Sequence, residues 1–237
     1  MIINKFYQDD FVCFAAVLGG SGSVGKQVLN HLLQDINCTG VTLVSRRPLE
    51  ALKALDERIS VEVCTDLNDM TTVNLRGANV AFCTLGIGAA STSTKDELLR
   101  VDGTLPSNFA QVCAAAGVTH YCLMTSVGAN EKAEWSRFSK CGAGGGWYNH
   151  VKGVAEQNTI GHNMPYTFIA QPAILLGSPH TPTFLNYLPH FLFPSKYSSA
   201  NVIDIASGMV KATVNAFQNN TNGVVRITGG VPISKAE

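Results

Sequence analysis

Residues 14–18 (FAAVL) form an apolar run that ends directly in Gly19-Gly20-Ser21-Gly22-Ser23-Val24-Gly25. Val24, Val28, Leu29, Leu32 and Leu33 then recur at helical spacing. A strand that turns through glycines straight into a helix admits few folds. The spacing Gly19-x-x-Gly22-x-x-Gly25 lets the chain reverse tightly and brings backbone N–H groups to the helix N-terminus, where an anion is favoured. By itself the glycine pattern arises by chance in roughly one chain in five of this glycine content, so its place between strand and helix carries the argument.

The same alternation continues downstream. Apolar runs at 41–44, 61–64, 80–85, 121–125 and 166–170 are predicted strands, and 224–227 is a plausible last one. Helices are predicted from Val24 onward, at 106–116 with Gly117 as its C-terminal glycine, at 151–160 and at 203–217. Strands apolar on both faces, separated by helices, imply right-handed βαβ units and a doubly wound, mostly parallel sheet. The expected fold is α/β, a single NAD(P)-binding Rossmann domain over 1–237. Its pattern breaks at about 177–200 into a Pro- and aromatic-rich segment, a small C-terminal subregion on the substrate side.

Composition narrows the partners. Seventeen basic and seventeen acidic residues balance, so no global field draws the chain to nucleic acid. No apolar run reaches the length of a membrane span. The seven cysteines contain no CxxC and fit a reducing compartment. The first ten residues carry neither an apolar leader core nor an Arg-rich transit pattern, and the expected location is cytoplasmic. The six histidines show no metal-binding spacing, so no metal is expected.

The second predicted strand ends in Ser45-Arg46-Arg47, where a site for a ribose 2′-hydroxyl would carry Asp or Glu. Guanidinium groups suit a 2′-phosphate as charge and as paired donors, which points to NADP(H) rather than NAD(H). The alternative is a solvated basic pair beside a loop. Cofactor contacts are expected from Gly19, Ser21, Gly22, Ser23, Val24, Gly25, Arg46 and Arg47. Asp66 and Leu67, past the third strand, would border the adenine, and Leu85 and Gly86, past the fourth, would pass beneath the ribose and pyrophosphate.

Tyr148 and Lys152 are the chain's one Tyr-x-x-x-Lys, and i to i+4 spacing puts both on one helix face. An ammonium beside a phenol stabilises the phenolate, so a tyrosine so placed can exchange a proton with a carbonyl or alcohol oxygen. Ser126, just past the fifth strand, would hydrogen-bond that oxygen. An amphipathic surface edge for the pair, and a turn-forming role for Ser126, stay open as alternatives.

Together these residues resemble the short-chain dehydrogenase/reductase superfamily. The supporting segments are the glycine turn, Val101-Asp102-Gly103-Thr104, Ala114-Ala115-Ala116-Gly117-Val118, Thr125-Ser126, Tyr148 with Lys152, and Ile203-Asp204-Ile205-Ala206. Residues 41–47, 82–86, 100–102 and 125–130 are similar to its atypical members of the human Tat-interacting-protein oxidoreductase type. The resemblance implies NADP(H) binding, a Ser126–Tyr148–Lys152 catalytic set acting on a small carbonyl or alcohol, and a ribose contact from Lys152. It also implies that Gln171, Pro172, Ala173 and Ile174 line the nicotinamide side.

The chain departs from that pattern in carrying Asp102 where members often have Asn, and Pro172-Ala173 for the usual Pro-Gly. It also has a longer stretch before Tyr148 that contains the glycine-rich 141–146. Because the close relatives include regulators, the competing reading is an NADP(H)-binding module that meets a protein partner. Its surfaces would be 141–146 and the aromatic stretch 184–197. Nothing in the sequence speaks to oligomeric state.

Overall fold

The structure, a computed structural model, describes residues 12–88, 92–133, 145–179, 181 and 194–236. The first half runs β1 (Cys13–Leu18), α1 (Ser23–Gln34), β2 (Cys38–Ser45), α2 (Glu50–Lys53), β3 (Ile59–Val63) and β4 (Val80–Cys83). After α3 (Lys95–Leu98) come a π-helical turn (Leu99–Thr104), α4 (Leu105–Ala115) and β5 (His120–Met124). The second half contains α5 (Gly146–Gly161), β6 (Tyr166–Gln171), β7 (Leu175–Leu176), β8 (Ala200–Asn201), α6 (Val202–Gln218), β9 (Gly223–Thr228) and α7 (Gly230–Ser234).

Among the described residues, seven strands form one sheet in the order β3-β2-β1-β4-β5-β6-β9, every pair parallel. This is the expected doubly wound Rossmann sheet. Its order reverses between β1 and β4, which opens a crevice at their carboxyl ends. β7 and β8 pair separately, beyond the end of β6.

Alternation along β1 explains how the sheet is covered. Ala15 and Val17 face a core with Val24, Val28, Leu29 and Leu32 of α1 and Ile205 and Met209 of α6. Ala16 and Leu18 face the other core, with Phe109 and Cys113 of α4. Leu29 and Leu32 are fully buried, each stabilising the fold by about 1.5–3 kcal/mol.

Two segments differ from the sequence expectation. Helix α5 begins at Gly146 rather than 151, with Gly145 as its N-cap, so Tyr148 lies inside the helix. The helix expected from 106 begins at Lys95 instead. Thr94 and Glu97 form a reciprocal capping box there, and the chain runs through the π turn into α4 without a break. Pro106 falls in the first turn of α4, directly after the π turn. Residues 141–144 of the glycine-rich stretch and 184–193 of the aromatic stretch lie outside the described residues.

Close packing makes one glycine critical and another replaceable. A Cβ on Gly208 of α6 would overlap the Ile233 carbonyl oxygen and stand 2.7 Å from its carbon. Gly161, the last residue of α5, has nothing within 4 Å of such an atom. In urea denaturation Gly208→Ala is expected to destabilise by about 1–3 kcal/mol. Gly161→Ala is expected to stabilise by about 0.4–1 kcal/mol.

Candidate functional site

The glycine turn is built by contact. Gly19 has φ +90°, and a Cβ there would lie 2.7 Å from the Leu85 nitrogen and 2.9 Å from Thr84 Oγ1, at the end of β4. The Gly22 N–H donates to the Gly19 oxygen at 2.9 Å. A Cβ on Gly25 would overlap that same oxygen, so the start of α1 lies directly on the turn. Gly22 caps α1 without a side-chain bond, and the helix has no acidic residue in its first turn. The N–H groups of Ser23, Val24 and Gly25 have no acceptor within the helix. This is a backbone-lined positive end, and its donor chemistry fits a dinucleotide pyrophosphate.

Around it stand the other expected cofactor residues. Arg46 and Arg47 are exposed just beyond β2, and the Arg47 N–H donates to Ser45 Oγ at 3.2 Å. Asp66 is exposed, its Oδ1 accepting from the Asn68 N–H at 2.9 Å, whereas the Leu67 side chain is turned into the core. Leu85 is half-buried and Gly86 exposed in the turn past β4. Pro172 is buried and its carbonyl accepts from the Val127 N–H at 2.9 Å; Ala173 is half-buried and Ile174 exposed.

The three expected catalytic residues sit on adjoining elements. Lys152 Nζ lies 5.8 Å from the centroid of the Tyr148 ring. It also bonds Asp102 Oδ1 at 2.6 Å, with both side chains at least 95% buried. The other oxygen of Asp102 accepts the Ile87 N–H at 3.0 Å. Burial pushes the Lys152 ammonium toward neutrality, but the Asp102 charge and hydrogen bond outweigh it, and the lysine holds its proton above the ordinary range. Ser126 Oγ is buried and makes no hydrogen bond among the described residues, the condition of a donor awaiting an acceptor.

Contacts between the loop after β5 and α5 hold this arrangement. The Asn130 N–H donates to the Asn149 carbonyl at 2.9 Å, and His150 Nδ1 lies 2.8 Å from the Glu131 carbonyl oxygen. A Cβ on Gly153 would overlap the backbone at Asn130 and Glu131, so helix and loop touch main chain to side-chain-free surface. His150 thus pins this loop.

Sequence reasoning missed the polar group behind Ser126. Thr125 Oγ1 donates to Glu156 Oε1 at 2.6 Å, and Gln171 Nε2 donates to the same oxygen at 2.8 Å. Arg226 Nε meets Glu156 Oε2 at 3.3 Å, and Thr228 Oγ1 donates to Gln171 Oε1 at 2.6 Å. One carboxylate therefore ties the ends of β5, β6 and β9 to α5. The available signal was spacing: Glu156 follows Lys152 by one more helical step of four on the inward face. No group of three or more His, Cys, Asp or Glu among the described residues could hold a metal.

Comparison with known proteins agrees with this geometry. The family described as NAD(P)H-binding matches residues 19–215. Protein HTATIP2 of Rattus norvegicus is 24% identical over 215 residues, covering 89% of this chain and 84% of the relative. Protein FMP52-1, mitochondrial, of Scheffersomyces stipitis is 27% identical over 167 residues, 70% of this chain and 69% of its own length. Among solved structures, MoeE5 in complex with UDP-glucose and NAD superposes with a TM-score of 0.64 at 16% identity, over 90% of this chain and 75% of that one.

The mitochondrial names of FMP52 proteins, including that of Debaryomyces hansenii, overturn the cytoplasmic expectation and point to mitochondria. Charge balance and free thiols report solvent and redox conditions rather than an organelle. Among the described residues no helix is long and apolar enough to cross a membrane. With its uncapped glycine turn at the sheet's switch point and a family match spanning most of its length, the chain belongs to the NAD(P)H-binding family.

Proposed function

We propose that the chain is an NADP(H)-dependent oxidoreductase of the short-chain dehydrogenase/reductase type, acting on a small carbonyl or alcohol. The observation that carries this reading is the buried Lys152 ammonium beside the Tyr148 ring, on the helix that packs against the loop of Ser126. When bound, the nicotinamide supplies or takes up the hydride. In the reducing direction the Tyr148 hydroxyl donates its proton to the carbonyl oxygen, and in the oxidising direction it receives one from the alcohol. Ser126 Oγ–H donates to the same oxygen as negative charge gathers there. Lys152 holds positive charge beneath Tyr148 and reaches the ribose. Asp66, Leu85, Gly86, Pro172, Ala173 and Ile174 complete the cofactor surface, Leu67 through its backbone because its side chain is committed to the core.

One observation favours a second reading. Asp102 stands where an amide is usual and neutralises Lys152 directly, so the charge offered to Tyr148 is already shared. A chain built this way can bind the dinucleotide without efficient turnover and use it to set a surface for a protein partner.

Three measurements test these readings. Fluorescence titration is expected to give tighter binding of NADPH than NADH. The Arg46→Ala/Arg47→Ala pair should weaken NADPH about 10- to 100-fold and leave NADH nearly unchanged, as loss of charged hydrogen bonds to a phosphate requires. Equal affinities in the wild type would remove the 2′-phosphate assignment. Across a panel of aldehydes and ketones, Tyr148→Phe is expected to keep NADPH binding and lose about 10²–10⁴ in rate. A variant as active as wild type rejects Tyr148 as the acid, and tight binding with no wild-type turnover selects the second reading. Asp102→Asn leaves a buried ammonium without its counter-charge and is expected to lower unfolding stability by about 3–5 kcal/mol, read by urea denaturation.

A further inference from the structure

The six described cysteines are free and buried, and two of them face each other across adjacent strands. Cys13 opens β1, Cys38 opens β2, and they are register partners. Their meeting depends on an irregularity. Pairing shifts between Cys13 and Phe14, so that Phe14 partners Gly40 and Thr39 is skipped. Strict alternation along β2 would point Cys38 away from the face shared by Val41 and Leu43. The shift turns it onto that face, in the same core as Cys13. Gly40 makes the shift sterically possible, because a Cβ there would overlap the Phe14 ring.

Neighbouring strands lie about 4.8 Å apart, inside the span of about 4.4–6.8 Å between Cα atoms that a disulfide bridges. The neighbouring thiols act on each other, the proton affinity of Cys13 being raised and that of Cys38 lowered, while Cys38 Sγ–H donates to the Gly40 carbonyl at 3.7 Å. Arg58 strengthens the asymmetry: its charge favours the Cys38 thiolate, and its Nη1 donates to the Cys38 carbonyl at 2.9 Å. Cys38 is thus the attacking sulfur and Cys13 the resolving one. Access comes through the strand ends. Val12, before Cys13, is 49% exposed, and Asn37 and Thr39 flank Cys38 in solvent, so opening of one residue at each strand start uncovers the pair.

We propose that Cys13 and Cys38 form a reversible dithiol–disulfide site, oxidised by low-molecular-weight disulfides such as oxidised glutathione. The Cys38 thiolate attacks one sulfur of the oxidant, forming a mixed disulfide and releasing one glutathione thiolate, which takes up a proton. Cys13 loses its proton, attacks the Cys38 sulfur and expels the second glutathione. Two protein thiols are oxidised to one disulfide, and one small disulfide is reduced to two thiols. The new bond closes a loop that contains β1, the glycine turn and all of α1. It tethers the phosphate-binding unit at the amino ends of two interior strands, opposite the cofactor crevice.

The test uses the full chain in native buffer, with glutathione stepped from reduced to oxidised, followed by alkylation and peptide mapping. A Cys13–Cys38 linked peptide should appear on oxidation and vanish with dithiothreitol. The oxidised chain should melt several degrees higher, since the cross-link restricts the unfolded state. NADPH affinity should not change, because the bond forms at the far end of β1. Cys13→Ser and Cys38→Ser should each abolish the linked species, whereas Cys83→Ser should leave it. The wild-type map decides the matter even if a variant fails to fold. No linked peptide, one that forms only in urea, or pairing of either cysteine with a third would each overturn the proposal.

Discussion

Helix α1 can lie where it does only because Gly25 brings no side chain to the Gly19 carbonyl, and Gly19 brings none to the end of β4. That contact sets the distance between helix and sheet, and the apolar stripe of α1 follows from it. Val24, Val28, Leu29 and Leu32 then drop onto β1 and meet α6 in one core. The same contact leaves the helix N-terminus open at the sheet's switch point. Packing and phosphate chemistry therefore share one cause, the absence of Cβ atoms at two places.

The second constraint is electrostatic. Lys152 and Asp102 are both withdrawn from water, and such a pair seldom adds stability over an apolar core of the same shape. Its presence in this chain has a positional reading: the carboxylate holds the lysine and, through Ile87, the backbone of the loop past β4. Glu156 does the same for its own surroundings, a further helical step along α5, where it joins three strand ends to that helix. Two buried carboxylates, one beside the loop past β4 and one among β5, β6 and β9, thus each serve more than one element.

Much of the sheet was legible in the sequence because a strand buried on both faces must be mostly apolar, as 14–18 and 80–83 are throughout and 166–170 is apart from Thr167 and the Tyr166 hydroxyl. The glycine turn was legible for a similar reason: few residue types tolerate that approach of backbone to backbone. What could not be read were relations across long separations. Asp102 stood out as a departure from an amide, but its partner fifty positions away depends on how the π turn orients it. The helix expected from 106 starts at Lys95, where Thr94 and Glu97 supply its capping box, and continues through the π turn. Leu67 shows the limit of reading strand ends, since one side chain faces solvent and the next the core. Organelle address left no mark in composition at all.

The π turn at Leu99–Thr104 has a consequence for how this chain tolerates changes in length. A π turn closes its hydrogen bonds over five residues instead of four, so relative to an α-helix it holds one residue too many. Each residue of an α-helix advances the azimuth by about 100°. The turn absorbs its surplus residue and keeps α3 and α4 in phase, so the sensitive changes of length lie outside it: deleting one position of α4 would swing everything on its N-terminal side by that angle relative to the rest. The Asp102 carboxylate would turn away from Lys152 on α5, although neither residue had been altered. In this chain the count of residues is itself a component of the site.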